Sequence, residues 1–246
     1  MNLRSSDPLQ DRALPDATTP HETSATAVLR PVVFGANDGL VSNLALVMGV
    51  AGADPAPSVI ILAGIAGLLA GAFSMGVGEY ISVRSQRELL DYQVAFQRKQ
   101  LREVPDQERA ILERAYIAQG FTPDQATLFV EAVFANEDHA IRQLIFEEVG
   151  LDERSIGSPL KAAAGSFAAF VVGAFIPLAP YLVATGSAAF IGSLLASLIA
   201  LALLGVAISR LTRRPALRSA IRQVALGGAA AAVTFAVGRF IGVQTS

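Results

Sequence analysis

Apolar stretches alternate with short polar links along most of the chain, and one charged block interrupts this alternation near its middle. Each stretch has roughly the 20 residues that a helix needs to cross a ~30 Å hydrocarbon core. The five stretches run over 31–51, 58–84, 159–183, 188–209 and 221–243. No segment shows the strict polar–apolar alternation of a half-buried strand. The pattern therefore predicts an all-α, polytopic membrane protein with five transmembrane helices.

The charged block predicts a helical insert between the second and third spans. Apolar residues at its start recur at helical spacing, which indicates that the second span continues into it. Pro105 is expected to break that helix, and a second helix is expected to end near Gln119. Residues 122–125 have the pattern of a capping box with proline in the first helical position, which predicts the start of a third helix. Asn136 is expected to cap a fourth helix that ends at Gly150.

Four regions follow from these elements: a tail at 1–29, spans one and two at 30–84, the insert at 85–158, and spans three to five at 159–243. The tail is rich in Ser, Thr, Pro, Asp and Ala, which is typical of disorder. It has no basic segment followed by an apolar one, so it does not have the pattern of a secretory signal peptide. We therefore expect a disordered tail ahead of the first span.

Composition narrows the possible functions. Charged residues make up 16% of the 246 residues, against about a quarter in soluble domains, which fits a membrane protein. The net charge of -2 gives no reason to expect a nucleic-acid partner. The chain has no cysteine, so disulfides and thiolate metal sites are excluded. Its two histidines, His21 and His139, lie far apart in sequence and do not favour a zinc site.

Lysine and arginine are distributed unevenly between the loops, which predicts the orientation in the membrane. The insert holds eight of them, and the loop between the fourth and fifth spans holds four arginines. The links at 52–57 and 184–188 hold none. Because basic loops tend to stay in the cytoplasm, the N-terminus and the insert are expected there, and the C-terminus is expected outside.

A carboxylate lies inside the first span. Asp38 is about two turns from the start of that span, where an ionised side chain is costly unless it is paired or hydrated. The nearest basic residue of the span is Arg30, about 12 Å away along the helix rise. Asn37, Ser42 and Asn43 supply further oxygens close by. These residues indicate a cation or proton site, and the alternative is an interhelical hydrogen bond that serves packing.

A thioether and a second carboxylate, Met75 and Glu79, lie one turn apart at the end of the second span. A methionine in an apolar helix is often only a filler, and a glutamate at this depth can be an interfacial acid. If Met75 faces the same cavity as Asp38, sulfur and oxygen ligands together suit ferrous iron or manganese better than calcium or magnesium. Glu79 would then pass metal or protons to Asp38.

Acidic residues are abundant in the insert, fourteen against eight basic ones. Glu108 and Glu148 are among those that could bind metal, although charged helical faces are usually solvated surface. The chain has no EF-hand loop, no HExxH, no P-loop and no Ser-His-Asp order. Because no nucleophile and base pair is present, neither an enzyme nor a resident cofactor is expected.

Two motifs carry a family resemblance. Residues 35–42, GANDGLVS, and residues 70–86, AGAFSMGVGEYISVRSQ, resemble the vacuolar iron transporter family, in its bacterial branch, and the likeness extends over nearly all of 30–243. It implies a homodimer in a bacterial inner membrane that moves ferrous iron, and often manganese, out of the cytoplasm in exchange for protons. It also implies that Asp38 and Met75 of both protomers line the pathway at the dimer axis.

The insert departs from the family pattern. The family carries a Glu-x-x-Glu pair on the first insert helix, where this chain has Gln97 and Gln100, and Leu144 stands where a methionine is expected. Glu108 and Glu148 match the family's remaining acids. An amide oxygen is a weaker ligand than a carboxylate, so the resemblance implies a metal-binding domain that has lost most of its ligands.

The sequence thus predicts a dimeric exporter of divalent transition metal ions in which metal passes between Asp38 and Met75. Glu79 is expected to relay metal or protons, with minor roles for Glu108 and Glu148. Two alternatives stay open. One is a non-transporting dimeric scaffold that has lost metal handling, as the missing ligands of the insert suggest. The other is a carrier for a different cation or a small solute.

Overall fold

The computed structural model describes residues 20–150 and 156–245, and within them the chain forms eight helices and no strand. The helices are α1 (Pro20–Gly52), α2 (Pro57–Glu103), α3 (Pro105–Ala118), α4 (Pro123–Phe134), α5 (Glu137–Val149), α6 (Pro159–Val183), α7 (Gly186–Thr212) and α8 (Ala216–Thr245). Five of them, α1, α2, α6, α7 and α8, contain segments long and apolar enough to cross a membrane. The prediction of an all-α protein with five transmembrane helices is therefore confirmed.

The first helix begins earlier than the sequence predicted. Residues 20–29 were assigned to a disordered tail, whereas α1 starts at Pro20 and runs into the first span without a break. Proline is favourable in the first position of a helix because its fixed backbone angle is already helical. Extending a helix that the span has already nucleated also costs less than starting one. Residues 1–19 of the predicted tail lie outside the described residues.

Helix α1 is the centre of the membrane bundle, since it packs against α2, α6, α7 and α8. Its contact with α6 is backbone to backbone: a Cβ atom placed on Gly35 would lie 2.6 Å from the carbonyl oxygen of Ser166. One placed on Gly39 would overlap the carbonyl of Phe170. In lipid, where little hydrophobic force drives helices together, such small residues allow close packing. The glycines therefore bring α1 close to α6 at the level of Asp38.

The insert is built on an uninterrupted helix. Helix α2 has 47 residues, about 70 Å at 1.5 Å per residue, so it runs from the bundle far into the insert. Helices α3, α4 and α5 pack near its C-terminal part around a small apolar core. That core comprises Leu112, Tyr116, Ala126, Val130 and Leu144.

The predicted helix boundaries of the insert are confirmed. The Thr122 hydroxyl accepts a hydrogen bond from the Gln125 backbone N–H, and the Gln125 side chain accepts one from the Thr122 backbone N–H, at 3.4 and 3.0 Å. The Asn136 side chain accepts the His139 backbone N–H at 3.1 Å, as an N-cap does. Gly150 ends α5 with a φ of 70°, the left-handed conformation that glycine adopts without strain.

Candidate functional site

An open cavity of about 250 Å³ lies between α1, α2 and α6 in the membrane bundle. Its walls combine oxygen atoms, one sulfur and apolar side chains. The lining residues are Asp38, Ser42, Asn43, Leu46, Gly67, Gly71, Ser74, Met75 and Phe170. The structure thus places Asp38 and Met75 in the wall of one cavity, which was the condition under which the sequence favoured a metal role for Met75.

Helical spacing explains why these residues converge. Asp38, Ser42 and Leu46 are successive fourth residues of α1, so they lie on one face of that helix. Gly67, Gly71 and Met75 have the same spacing on α2 and face them. Each helix therefore contributes one stripe of its surface to the cavity.

Two glycines set the distance between these helices. A Cβ atom on Gly71 would overlap the ring of Phe170, and one on Gly67 would overlap Leu46 Cδ2. Phe170 itself is only 2% exposed and packs with Leu68, Ala72 and Ala174. Larger residues on this stripe would force α2 away from α1 and α6, so the glycines hold Met75 close to Asp38.

The Asn43 amide adds an oriented acceptor to the cavity. Asn43 is 2% exposed, and its Nδ2 donates a hydrogen bond of 2.6 Å to the carbonyl oxygen of Ala174 on α6. This bond fixes the amide plane, and Asn43 Oδ1 is buried without a hydrogen-bond partner among the described residues. A buried acceptor that lacks a donor is costly unless a ligand, an ion or water satisfies it. Asn43 Oδ1 is therefore an unsatisfied acceptor of a residue that lines the cavity.

The donor set suits a borderline divalent metal ion. Asp38 contributes a carboxylate, Asn43 an amide oxygen, Ser42 and Ser74 hydroxyl groups, and Met75 a thioether. Calcium and magnesium prefer oxygen-only sites, whereas a mixed set that includes sulfur fits first-row transition metals. One carboxylate supplies one negative charge, so a single chain leaves a bound dication half neutralised.

Glu79 is placed differently from Asp38 and Met75. It is partly buried on α2, one turn beyond Met75, and it is not among the residues that line the cavity. Its predicted role as a relay would therefore operate at the end of the cavity and not in its wall. That role stays a prediction.

The two predicted acids of the insert come together around a glutamine. Gln97 of α2 is 1% exposed, and its Nε2 donates a hydrogen bond of 2.5 Å to Glu148 Oε2 on α5. Glu108 of α3 is 3% exposed and close enough to Glu148 to feel its charge. Gln97 Oε1 and Glu108 Oε2 are both buried without a hydrogen-bond partner among the described residues. Three helices therefore converge on one polar pocket in the insert.

The electrostatics of this pocket are those of two acids in a poorly hydrated space. Burial raises the pKa of the Glu108 carboxyl above its usual value, and the negative charge of Glu148 raises it further. Nowhere in the described ranges 20–150 and 156–245 do three His, Cys, Asp or Glu side chains form a group that could hold a metal. The pocket thus offers two carboxylates and an amide, fewer strong ligands than a multi-metal cluster needs.

Sequence reasoning did not single out three features of these sites. Ser74 and Phe170 line the membrane cavity, and Gln97 bonds directly to Glu148. Ser74 precedes Met75 in the second motif, which was the one available signal for it. Phe170 lies in an apolar span with no pattern to mark it. The bond between Gln97 and Glu148 joins residues 51 positions apart, which no local pattern reveals.

The chain is similar to known proteins over most of its length. A model of the VIT family matches residues 29–239 of the chain. The chain is 30% identical over 233 residues to vacuolar iron transporter 1 of Arabidopsis thaliana, an alignment that covers 94% of this chain and 93% of the relative. It is also 30% identical to vacuolar iron transporter 1 of Tulipa gesneriana, over 95% of each chain. The vacuolar iron transporter of Toxoplasma gondii is 28% identical, over 90% of this chain and 76% of the relative.

Proposed function

The chain belongs to the VIT family, as its two motifs predicted, and on that premise we propose that it transports divalent transition metal ions across a membrane. It is a multi-pass membrane protein with five candidate spans. The relatives named above are vacuolar iron transporters, which makes ferrous iron the first cargo to test. Manganese is the second, because the same donor atoms suit both ions.

The observation that carries this proposal is the shared cavity of Asp38 and Met75. An acidic side chain inside a transmembrane segment is rarely retained without a role. Here the carboxylate lines one cavity with a thioether and with Asn43, whose Oδ1 has no partner among the described residues. A packing role alone would be expected to satisfy that acceptor within the protein.

Dimerisation completes the proposed site. The cavity is open, and Ser42 of α1 and Ser74 of α2 are exposed in its wall. A second copy that covers this opening would bring two carboxylates, one Asp38 from each protomer, to one axis. Two negative charges neutralise a dication, which reduces the cost of moving it through hydrocarbon.

We also propose a direction and a proton coupling for this site. We place the insert in the cytoplasm of a bacterial cell, so metal enters from the insert side, passes Glu79, and leaves on the side of the C-terminus. When metal departs, protons can take its place at the two Asp38 carboxylates and balance their negative charge. Protons taken up at Asp38 and released through Glu79 would therefore return in exchange for metal.

Transport by proteoliposomes tests the proposal. Ferrous iron uptake into vesicles with an imposed proton gradient should fall by about 100-fold or more in Asp38→Ala, because a neutral site cannot hold the dication. It should fall by about tenfold in Met75→Ala, which removes the thioether but keeps the charge. Met48→Leu is the matched control, since Met48 is a buried methionine of α1 outside the cavity. Equal uptake by wild type and Asp38→Ala would refute metal transport through this cavity.

A non-transporting dimeric scaffold is the second candidate, and one observation favours it. Gln97 engages a carboxylate oxygen of Glu148 that the insert would otherwise present to metal. On this view the bundle keeps its shape but handles no ion. Calorimetry that detects no binding of iron, manganese, cobalt or zinc by the purified protein would support the scaffold and exclude transport.

A further inference from the structure

A basic cavity of about 520 Å³ lies where α8 begins, at the opposite end of that helix from its contact with Gly52 of α1. Six residues line it: Arg214, Pro215, Arg218, Ser219, Ile221 and Arg222. Arg218 and Arg222 are one turn apart on α8, so their guanidinium groups extend from one face. Ser219, only 5% exposed, adds a hydroxyl-bearing side chain to the wall.

The positive charges of these arginines are not balanced by acidic residues nearby in the sequence. The chain carries no aspartate or glutamate after Glu153, whereas it carries five arginines between Arg210 and Arg222. The ion pairs found in the described parts of the chain all lie in α2 and α5, and none involves these five arginines. Unneutralised arginines that share one cavity attract an anion, and the N-terminal end of α8 adds the positive end of a helix dipole.

The position of the cavity selects the class of anion. The bundle crosses the membrane with α7 and returns with α8, so the link between them lies at a membrane surface, on the same side as the insert. An excess of basic residues in such a link follows from orientation alone. What goes beyond orientation is that three of the five arginines line one cavity. A link at a membrane surface is within reach of lipid headgroups.

We propose that the cavity of Arg214, Arg218 and Arg222 is a binding site for the phosphate group of an anionic phospholipid. Guanidinium groups pair with phosphate oxygens in a bidentate way, and Ile221 at the rim contacts the start of an acyl chain. The lipid stabilises the junction of α7 and α8 by bridging charges that otherwise repel each other.

Native mass spectrometry of the full-length protein in neutral detergent tests this site. Phosphatidylglycerol should bind the wild type as a discrete adduct, and phosphatidylcholine should not. In Arg218→Gln/Arg222→Gln the apparent affinity for phosphatidylglycerol should fall by roughly 30-fold, from about fivefold for each arginine near an anionic surface. The control is Arg210→Gln/Arg213→Gln, which removes the same charge from the same link but leaves the cavity lining intact. The control should bind phosphatidylglycerol nearly as well as the wild type.

Three results would overturn the proposal. Equal losses in the two double variants would mean a diffuse charge effect, and equal retention of phosphatidylcholine would mean that the phosphate charge is not recognised. Inorganic phosphate that binds while phosphatidylglycerol does not would make the cavity a site for a free anion. If the variant Arg218→Gln/Arg222→Gln fails to fold, Arg218→Lys/Arg222→Lys replaces it in the test. This second variant keeps the positive charge but loses bidentate geometry, so several-fold weaker phosphatidylglycerol binding is the expected result.

Discussion

The membrane cavity and the pocket of the insert contain similar residues, but these residues are arranged differently, with different consequences for metal binding. Each contains a buried amide that is anchored through its nitrogen and whose oxygen has no partner among the described residues. In the membrane, Asn43 is anchored on a neutral backbone carbonyl and not on the Asp38 carboxylate. In the insert, Gln97 is anchored on Glu148 and engages an oxygen that a metal would need.

The group that accepts the hydrogen bond from the amide therefore determines whether the neighbouring carboxylate is available to a metal ion. A backbone carbonyl anchors Asn43 without drawing on the ligands of the cavity. A carboxylate anchor turns a ligand into a structural hydrogen-bond acceptor. Space differs as well, because Gly67 and Gly71 leave room for the membrane cavity, whereas in the insert the side chains of Gln97 and Glu148 contact each other directly.

The largest effect is expected when the membrane cavity is filled. In Gly71→Ala the new methyl group overlaps the ring of Phe170, which must shift into the cavity. Ferrous iron transport should fall by up to about 100-fold, the cost of misplacing binding groups by roughly 1 Å. Gly78→Ala on the same helix is the control, because a Cβ there meets nothing within 4 Å. Unchanged uptake in Gly71→Ala would mean that ions do not pass beside Phe170.

The second test is to convert the insert pocket into a stronger metal site. Gln97→Glu replaces the amide by a carboxylate beside Glu108 and Glu148, so three acids converge and metal becomes the natural way to neutralise them. Affinity for manganese, measured by calorimetry, should rise by about tenfold or more. Gln107→Glu is the control, because it adds the same charge at an exposed glutamine of α3. If both variants bind manganese equally, the added charge and not the pocket is responsible.

A smaller effect is expected from pH. Burial and Glu148 raise the pKa of the Glu108 carboxyl, so the fold favours its protonated form. This contribution is full below the ordinary pKa of glutamate and is lost as pH rises through the raised pKa. Relative to Glu108→Gln, the wild type should therefore lose stability as pH rises above the ordinary pKa of glutamate. The difference in melting temperature should shift by about 2–4 °C for each ~1 kcal/mol involved.

The control for this pH effect is Glu131→Gln, which changes a solvent-exposed glutamate of α4. It should follow the wild type at every pH. A wild type and a Glu108→Gln variant with parallel melting curves would show that Glu108 gains no protonation on folding.

The smallest effect is expected when the acids of the insert are substituted and transport is measured. Glu108→Gln and Glu148→Gln should change ferrous iron uptake by less than about twofold, or roughly 0.4 kcal/mol, since neither lines the membrane cavity. Uptake is measured in the same proteoliposomes as for Asp38→Ala. A large loss in either variant would mean that the insert delivers metal to the cavity despite its reduced ligand set.

Local chemistry predicted much of the fold. The five spans follow from length and composition, and the caps at Thr122 and Asn136 follow from patterns of four residues. The start of α1 at Pro20 was missed because helix propagation from the span outweighed a composition typical of disorder. The approach of Asp38 to Met75 was anticipated only as a condition, because it depends on how α1 and α2 pack.

The unpredicted parts of the sites all depend on contacts between distant segments. The carbonyl that anchors Asn43 belongs to Ala174, 131 residues away. Gln97 was recognised in the sequence as a missing ligand, whereas its bond to Glu148 exists only because α5 packs back against α2. Periodicity identifies which face of a helix is polar but not which residue of another helix will meet it.

The uninterrupted course of α2 has a mechanical consequence. From Met75 to Glu103 the helix is a rod of about 42 Å, and a rod transmits a tilt without loss. A rotation of about 5° around the cavity displaces the end at Glu103 by roughly 4 Å, and a force applied at Glu103 acts on Met75 with the same leverage. A ligand or partner that binds the insert can therefore tilt α2 and move Met75 in the wall of the membrane cavity.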